Sequence, residues 1–444
     1  MPQRCEPVKN PAPRIVEGSA VVAGDASVWD TASTTLARPH WRRALTLLWM
    51  GQVISHLGDS LYLVGIVWLV LEMTGSKKMA GWLVAVNFAP ALVLGLFAGA
   101  FVDRHDRRRV MITADLLRFV AVGAIPVLFF AHHLAAPELA IILLALATGT
   151  TFFNPAIKAI IPEIAPATRL SSAVTVFQLS EQVALVGGPL LGQPATKYLG
   201  LVHLFTVDSV TFLFSALCLL MLPTLGRRRL HAAATQSLPP LTWRWILTES
   251  GAVIRAVWSS PVLRALMLLT ALDVLLIMGP AYIATPILVK ETLGLGPDGY
   301  MSAMIFFFLG LALGTAATWL FARRAPKGRM ILIGIILDGL TLIPFYFCRT
   351  LTEVQLALFV HALAIPLIII PRTVLLQQAF PGRLHGRLFA LVNVVVVGMT
   401  GVSAGLTGLL IERVPPARLF LAVGLIVACA GGLAFRSRSL RDAA

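Results

Sequence analysis

Twelve runs of predominantly apolar residues, each about as long as a bilayer is thick, constrain this chain more than any other feature. They fall at 44–71, 79–102, 110–131, 137–157, 170–196, 199–222, 264–289, 300–322, 329–348, 354–377, 386–411 and 418–435. A helix rises about 1.5 Å per residue, so roughly 20 apolar residues cross about 30 Å of hydrocarbon. Composition agrees: 57% of the 444 residues are hydrophobic and only 13% charged, where soluble domains carry about 25% charged residues. The solvent for so much apolar surface is lipid, and the chain is expected to be an all-α membrane protein of twelve spans.

The net charge of +15 sits in short clusters between the apolar runs. Basic patches interleaved with aromatics, as nucleic-acid binding uses, are absent, so no nucleic-acid partner is expected. With the N-terminus placed in the cytoplasm, the inside segments carry 28 Lys and Arg and the outside loops 7, with Arg118 left inside a span. That bias predicts a multi-pass protein of the cell membrane with both termini cytoplasmic. Four cysteines, Cys5, Cys218, Cys348 and Cys429, show no recurring spacing. They indicate neither a disulfide framework nor a zinc site, and no metal or cofactor is expected. Residues 1–43 are polar, with no short apolar core near the start. They read as a disordered cytoplasmic tail, not as a signal peptide.

The largest break between runs spans 223–263, with Arg227, Arg228, Arg229, Pro239 and Pro240 followed by an amphipathic stretch. It reads as a cytoplasmic linker between six-span halves at 44–222 and 264–435, with 436–444 as a C-terminal tail. Internal repetition supports the division. Glu72-x-x-Gly75 closes the first run and Glu291-x-x-Gly294 the seventh, 219 positions later, and Leu94-Gly95 matches Leu313-Gly314 at the same offset. Two halves in the same orientation form a parallel repeat.

The sharpest motif is Gly99-Ala-Phe-Val-Asp103-Arg104-His-Asp106-Arg107-Arg108-Arg109, between the second and third runs. Gly99 lets two helices approach closely, and Asp103 at a span end can pair with a basic group or a helix N-terminus. Such a pair can lock one conformation of a rocking protein. The motif resembles the major facilitator superfamily signature G-x-L-x-D-R-x-G-R-R. Asp106 stands where that family has Gly. Asp tolerates a left-handed turn better than most residues, so the turn is expected to survive. The corresponding loop of the second half keeps Arg323, Arg324, Lys327 and Arg329 without the acid. In the fifth run, Gly188-Pro189-x-x-Gly192 resembles part of the superfamily's antiporter motif. Physically, Pro189 frees a carbonyl and the glycines give a close-packed, bendable point. A packing kink without antiport fits the same residues.

Ionisable residues inside spans are functional candidates, because each costs roughly 2.5–3.5 kcal/mol or more at the bilayer centre. Here they are Asp59, Asp115, Arg118, Glu181, Asp208, Asp273 and Asp338, with His56 and His361 as further titratable groups. His56 lies one turn before Asp59 on the same face. A carboxyl in that setting can load and release protons near neutral pH, as a proton antiporter needs. Asp59, Asp273, Glu181, His56 and His361 are the proton or substrate candidates. Asp115 and Arg118, three apart, read as a structural pair around Asp103. A hydrogen-bonded, permanently neutral carboxyl is the alternative for each acid.

Gly401-x-Ser403-x-Gly405 fits the nucleophile elbow of serine hydrolases, but that elbow needs a strand–turn–helix setting, and these residues lie mid-span. Small-residue helix packing explains them better. No phosphate-binding G-x-x-x-x-G-K-[ST] loop exists.

Residues 42–435 are similar to a bacterial drug-efflux branch of the superfamily, which includes macrolide and enterobactin-type siderophore exporters. Gln52-Val-Ile-Ser55, Gly58-Asp59, Leu71-x-x-Thr74-Gly75-Ser76, Asn154-Pro155 and Asp208-Ser209 carry the resemblance with the motifs above. It implies rocker-switch alternating access, a central cavity lined by spans one, four, seven and ten, and export driven by the proton gradient. Asp59 and Asp273 would then face the cavity from opposite halves, with His361 beside them. The expected partners are a small amphipathic substrate, protons and the lipid bilayer, the chain acting as a monomer. An uptake symporter or lysolipid transporter on the same fold is the first alternative, and an intramembrane serine hydrolase using Ser403 the second.

Overall fold

Each apolar run forms a helix, and the described residues hold twelve that are long and apolar enough to cross a membrane. The computed structural model describes residues 41–222, 251, 254–321, 326–380 and 382–443. Residues 1–40 of the expected N-terminal tail, most of the expected linker, and Arg323 and Arg324 lie outside the described residues, while residues 41–43 already belong to the first helix. The first six helices are α1 (Trp41–Thr74), α2 (Lys77–Val102), α3 (Arg107–Phe130), α4 (Ala136–Ile164), α5 (Leu170–Leu199) and α6 (Val202–Leu220). The next six are α7 (Pro261–Thr292), α8 (Pro297–Phe321), α9 (Lys327–Tyr346), α10 (Leu351–Ala379), α11 (Gly382–Leu410) and α12 (Pro416–Ala434).

Local chemistry sets the helix ends. Ser76 Oγ accepts from the Met79 N–H at 3.2 Å at the start of α2, and Ser260 Oγ from the Leu263 N–H at 3.4 Å at the start of α7. Thr350 and Glu353 cap each other's backbone at the start of α10. Gly75 and Gly294, the glycines of the repeated Glu-x-x-Gly, both adopt positive φ, +61° and +65°. Each turns the chain just past a helix end, a conformation that costs other residues a Cβ clash. Near its end α7 widens into π turns at Pro280–Ala284 and Leu288–Thr292. Pro280 and Pro286 lack the N–H groups an α-helical register would use there.

Within the first half, α1 packs on α5 and α6, and α3 on α4 and α6; within the second, α7 packs on α11, α8 on α10 and α9 on α12. The halves meet through α2 with α11 and α5 with α8. Small residues permit the closest crossings, as bilayer helices require without a hydrophobic drive between them. A Cβ on Gly81 of α2 would sit 2.6 Å from Gly408 Cα of α11, and a Cβ on Gly192 of α5 would sit 2.8 Å from Met301 Sδ of α8. The outward wall is apolar, with side chains such as Val127 and Val183 about two-thirds exposed at 67% and 68%. These contacts give two six-helix halves.

Candidate functional site

Between the halves lies a cavity of about 1490 Å³, lined from α1, α2, α4, α5, α10 and α11. Among the described residues, His56, Asp59, Glu181 and Arg372 line it with charged or titratable side chains, and Asp103 and Lys158 border it at the α2–α3 loop end. His56 Nδ1 stands 3.8 Å from Asp59 Oδ2, one helical turn apart on α1, both side chains partly exposed. Glu181 reaches the same cavity from α5. Gly58 lets α6 close in behind Asp59, because a Cβ there would collide with Asp208 and Thr211. Asp208 is fully buried off the cavity wall, with Oδ2 lacking a hydrogen-bond partner.

The second half is arranged differently from the expectation. Asp273 does not line the cavity, and its Oδ1 has no hydrogen-bond partner. His361 is buried at 3% exposure, its Nδ1 3.5 Å from Asp338 Oδ1 and 2.9 Å from Thr341 Oγ1. α10 turns His361 toward α9, away from the cavity. Among the described residues, the second-half charge that does line it is Arg372, eleven residues after His361 and about three turns along α10. Arg372 falls within the apolar run 354–377, a cation inside a span.

In the Gly99–Arg109 segment the expected close helix approach at Gly99 is not made, since a Cβ there would meet nothing within 4 Å and the residue lines the cavity; the arginines make the contacts. Arg107 donates to Glu163 at 2.5 Å and to the Ala159 carbonyl at 3.0 Å, tying the start of α3 to the end of α4. Arg108 Nε and Nη2 donate to the Leu219 and Leu220 carbonyls at 2.7 and 2.6 Å, covering open carbonyls at the end of α6. Asp103 is exposed at the cavity mouth and, among the described residues, forms no ion pair. The expected lock through Asp103 is therefore not made in this conformation; Glu163 holds the arginine instead. Asp106 does not take a left-handed turn. Its φ is −64°, and its side chain caps α3 by accepting from the Arg109 N–H at 3.1 Å. An aspartate here does work that the family's glycine cannot.

Asp115 and Arg118 pair directly, both nearly fully buried, and the guanidinium lies 4.1 Å from the Phe153 ring centroid and 4.4 Å from that of Phe212. This pair is enclosed by α3, α4 and α6, not joined to Asp103. Gly149 makes room for it, since a Cβ there would lie 2.8 Å from Arg118 Cγ. In α5 the helix runs unbroken through Pro189, with Gly188 pressed on Ser60 of α1. Ser403 is no elbow: it lies inside α11 at 1% exposure, its Oγ accepting from the Gly279 N–H at 2.6 Å. That bond supplies an acceptor to α7 just where Pro280 disturbs its ladder. Three or more His, Cys, Asp or Glu residues do not converge on a metal-sized site among the described residues.

The end remote from the α2–α3 loop is closed by contacts between the halves. Lys77 at the start of α2 donates to Glu291 at the end of α7 at 2.6 Å. Trp68 of α1 stacks on Tyr300 of α8 with centroids 6.3 Å apart, and Lys290 Nζ lies 5.6 Å from the Trp68 ring centroid. Trp68 Nε1 also donates to Glu72 at 2.7 Å. The repeated Glu-x-x-Gly segments thus meet at this closure, with Glu72 holding Trp68 and Glu291 holding Lys77.

Sequence and structure comparisons agree with this arrangement. The chain is 24% identical over 397 residues to macrolide efflux protein A of Streptococcus pyogenes, covering 88% of this chain and 95% of that protein. It is 27% identical over 385 residues to the multidrug efflux pump Tap of Mycolicibacterium fortuitum, covering 83% and 88%. The fold matches a crystal structure of the nucleoside transporter NupG with a TM-score of 0.70 at 12% identity, covering 89% of this chain and all of that one. A bacterial homologue of the iron transporter ferroportin, in an inward-facing state, superposes with a TM-score of 0.70 at 16% identity, over 89% and 99% of the two chains. The family profile described as the Major Facilitator Superfamily matches residues 48–401. This twelve-helix chain, with its cavity between two six-helix halves, belongs to the Major Facilitator Superfamily of membrane transporters.

Proposed function

We propose that this protein exports amphipathic small molecules from the cytoplasm, driven by proton entry, through alternating exposure of the central cavity. The observation that carries the reading is the cluster of His56, Asp59 and Glu181 in one cavity between the halves, with the far end shut by Lys77–Glu291. A carboxylate beside an imidazole inside the bilayer can bind a proton from one side and release it to the other as the cavity changes its opening. A cationic drug and a proton compete for the same acids, which couples the two flows. The efflux activities named for the macrolide and Tap relatives favour outward transport of such molecules.

In this reading the protein is a monomer of the cell membrane with both termini in the cytoplasm, as the bias of Lys and Arg favours. Residues 44–222 and 264–435 are the moving halves, joined by a cytoplasmic linker at 223–263. The test is proton movement in proteoliposomes on addition of a macrolide, wild type against Asp59→Asn. Coupled proton flux should be lost in the variant, and flux that persists unchanged removes Asp59 from the mechanism. Accumulation in inverted vesicles, where export reads as uptake, separates this reading from an uptake symporter.

A further inference from the structure

Arg372 is the unassigned charge of the cavity. Its guanidinium carries five N–H donors in a rigid fork. One of them reaches Thr270 Oγ1 of α7 at 3.5 Å, the outer limit of a hydrogen bond. Asp273, one turn further along α7, is the acid whose charge acts on it, yet among the described residues no ion pair joins the two. An arginine kept only as counter-ion to Asp273 would close on it, because a charge in this setting is costly until it is paired. Here the guanidinium meets Thr270 only at the edge of hydrogen-bonding range, and Arg372 lines the cavity.

Across that cavity the charges have the opposite sign. Asp59 on α1 and Glu181 on α5 are acidic, and the first-half cation Lys158 lines the cavity with Asp103 at the α2–α3 loop end, so among the described residues the part lined by Asp59, Glu181 and Arg372 carries acids from the first half and a cation from the second. A purely cationic cargo would satisfy only the acidic wall and would be repelled by the arginine. We infer that Arg372 is a subsite for a carboxylate of the cargo, and that the favoured substrates are amphoteric amphiphiles. Such a molecule places a cationic group toward Asp59 and Glu181 and a carboxylate in the Arg372 fork, where two parallel N–H···O bonds can form. The inference rests on reading the cavity as the substrate site.

Rhodamine B and its ethyl ester test it, since they differ only in whether the carboxylate is free. Fluorescence anisotropy with the purified full chain in detergent measures binding, and uptake into inverted vesicles measures transport. The wild type should bind rhodamine B about tenfold more tightly than the ester, the scale of one charge-assisted hydrogen bond. In Arg372→Gln the ratio should fall to about one, while Arg372→Lys, which keeps the charge but loses the fork, should lie between. Thermal unfolding of each variant shows that it is folded. A wild-type ratio near one, a ratio that survives Arg372→Gln, or no binding of either dye overturns the inference. Proton-driven uptake of the ester or of a macrolide in those cases would leave the export reading standing, whereas absence of all coupled transport would remove that reading.

Discussion

The closure at Lys77 and Glu291 gives the most direct handle on alternating access. The ion pair is short, 2.6 Å, but the side chains are 25% and 46% exposed. Solvent screening therefore limits it to about 0.5–1 kcal/mol. The stacked Trp68–Tyr300 pair adds roughly 0.5–1.5 kcal/mol, and Lys290 over Trp68 about 0.5–1 kcal/mol at its 5.6 Å separation. Lys77→Ala alone should then shift the equilibrium toward the state open at this end about two- to fivefold. Adding Trp68→Leu should raise the shift to between tenfold and several hundredfold, because the stacking and cation–π contacts go together. Lys77→Glu should exceed Lys77→Ala by setting two carboxylates together, and Lys77→Glu with Glu291→Lys should return toward the wild type. Spin labels at Lys78→Cys and Thr292→Cys, both exposed at this end, report the opening as a longer distance in pulsed electron resonance, in a background without the native cysteines. If neither Lys77→Ala nor the Trp68 double variant changes the distance distribution, these contacts do not hold the end closed, and the argument from them fails.

Three further outcomes follow from other parts of the molecule. Arg118→Met leaves the buried Asp115 unpaired and should cost about 3–5 kcal/mol; thermal unfolding in detergent measures it, and Asp115→Leu with Arg118→Met should recover most of the loss. Gly188→Val drives a side chain into Ser60 of α1 and should cost about 1–3 kcal/mol by overpacking, while also reducing transport, since α1 carries His56 and Asp59. At the C-terminal end, hydrogen bonds from Arg441 and then Arg329 hold the Asp442 carboxyl below its usual range. A lowered folded-state value means the contact is fully present above the ordinary carboxylate range and is lost as pH falls through and below about 4. Exchange of the Gly328 amide, which donates to the Ala443 carbonyl at 3.0 Å, should accelerate there after correction for intrinsic rate, and Asp442→Asn should show the loosening already at neutral pH.

Much of the candidate site was legible, but unevenly. His56 and Asp59 share a helical face, and helical spacing alone places them together. That Glu181 joins them depends on how α5 lies across α1, which a crossing at Gly188 and Ser60 decides. Asp273 and His361 were candidates by depth in the membrane, and depth does not tell rotation about a helix axis. α10 is rotated so that His361 meets Asp338 and Thr341 while Arg372 borders the cavity. The sequence signal for Arg372 is a cation inside an apolar run. Asp106 shows the limit of motif matching, since the loop keeps its charges while the backbone at that position uses a helix cap where a glycine turn was expected.

What the sequence determined by itself is the number of helices, their lengths and their division into repeated halves. These follow from local quantities: apolar content per turn, charge between runs and the Glu-x-x-Gly turns at Gly75 and Gly294. Only the tertiary structure decided which charges face the cavity, which are sealed between helices, and which end is shut. Those outcomes depend on helix rotation and crossing, set by close contacts such as Gly81 with Gly408 and Gly279 with Ser403. Residues far apart in the chain must be brought within ångströms before such contacts exist, and spacing along one helix carries no information about them.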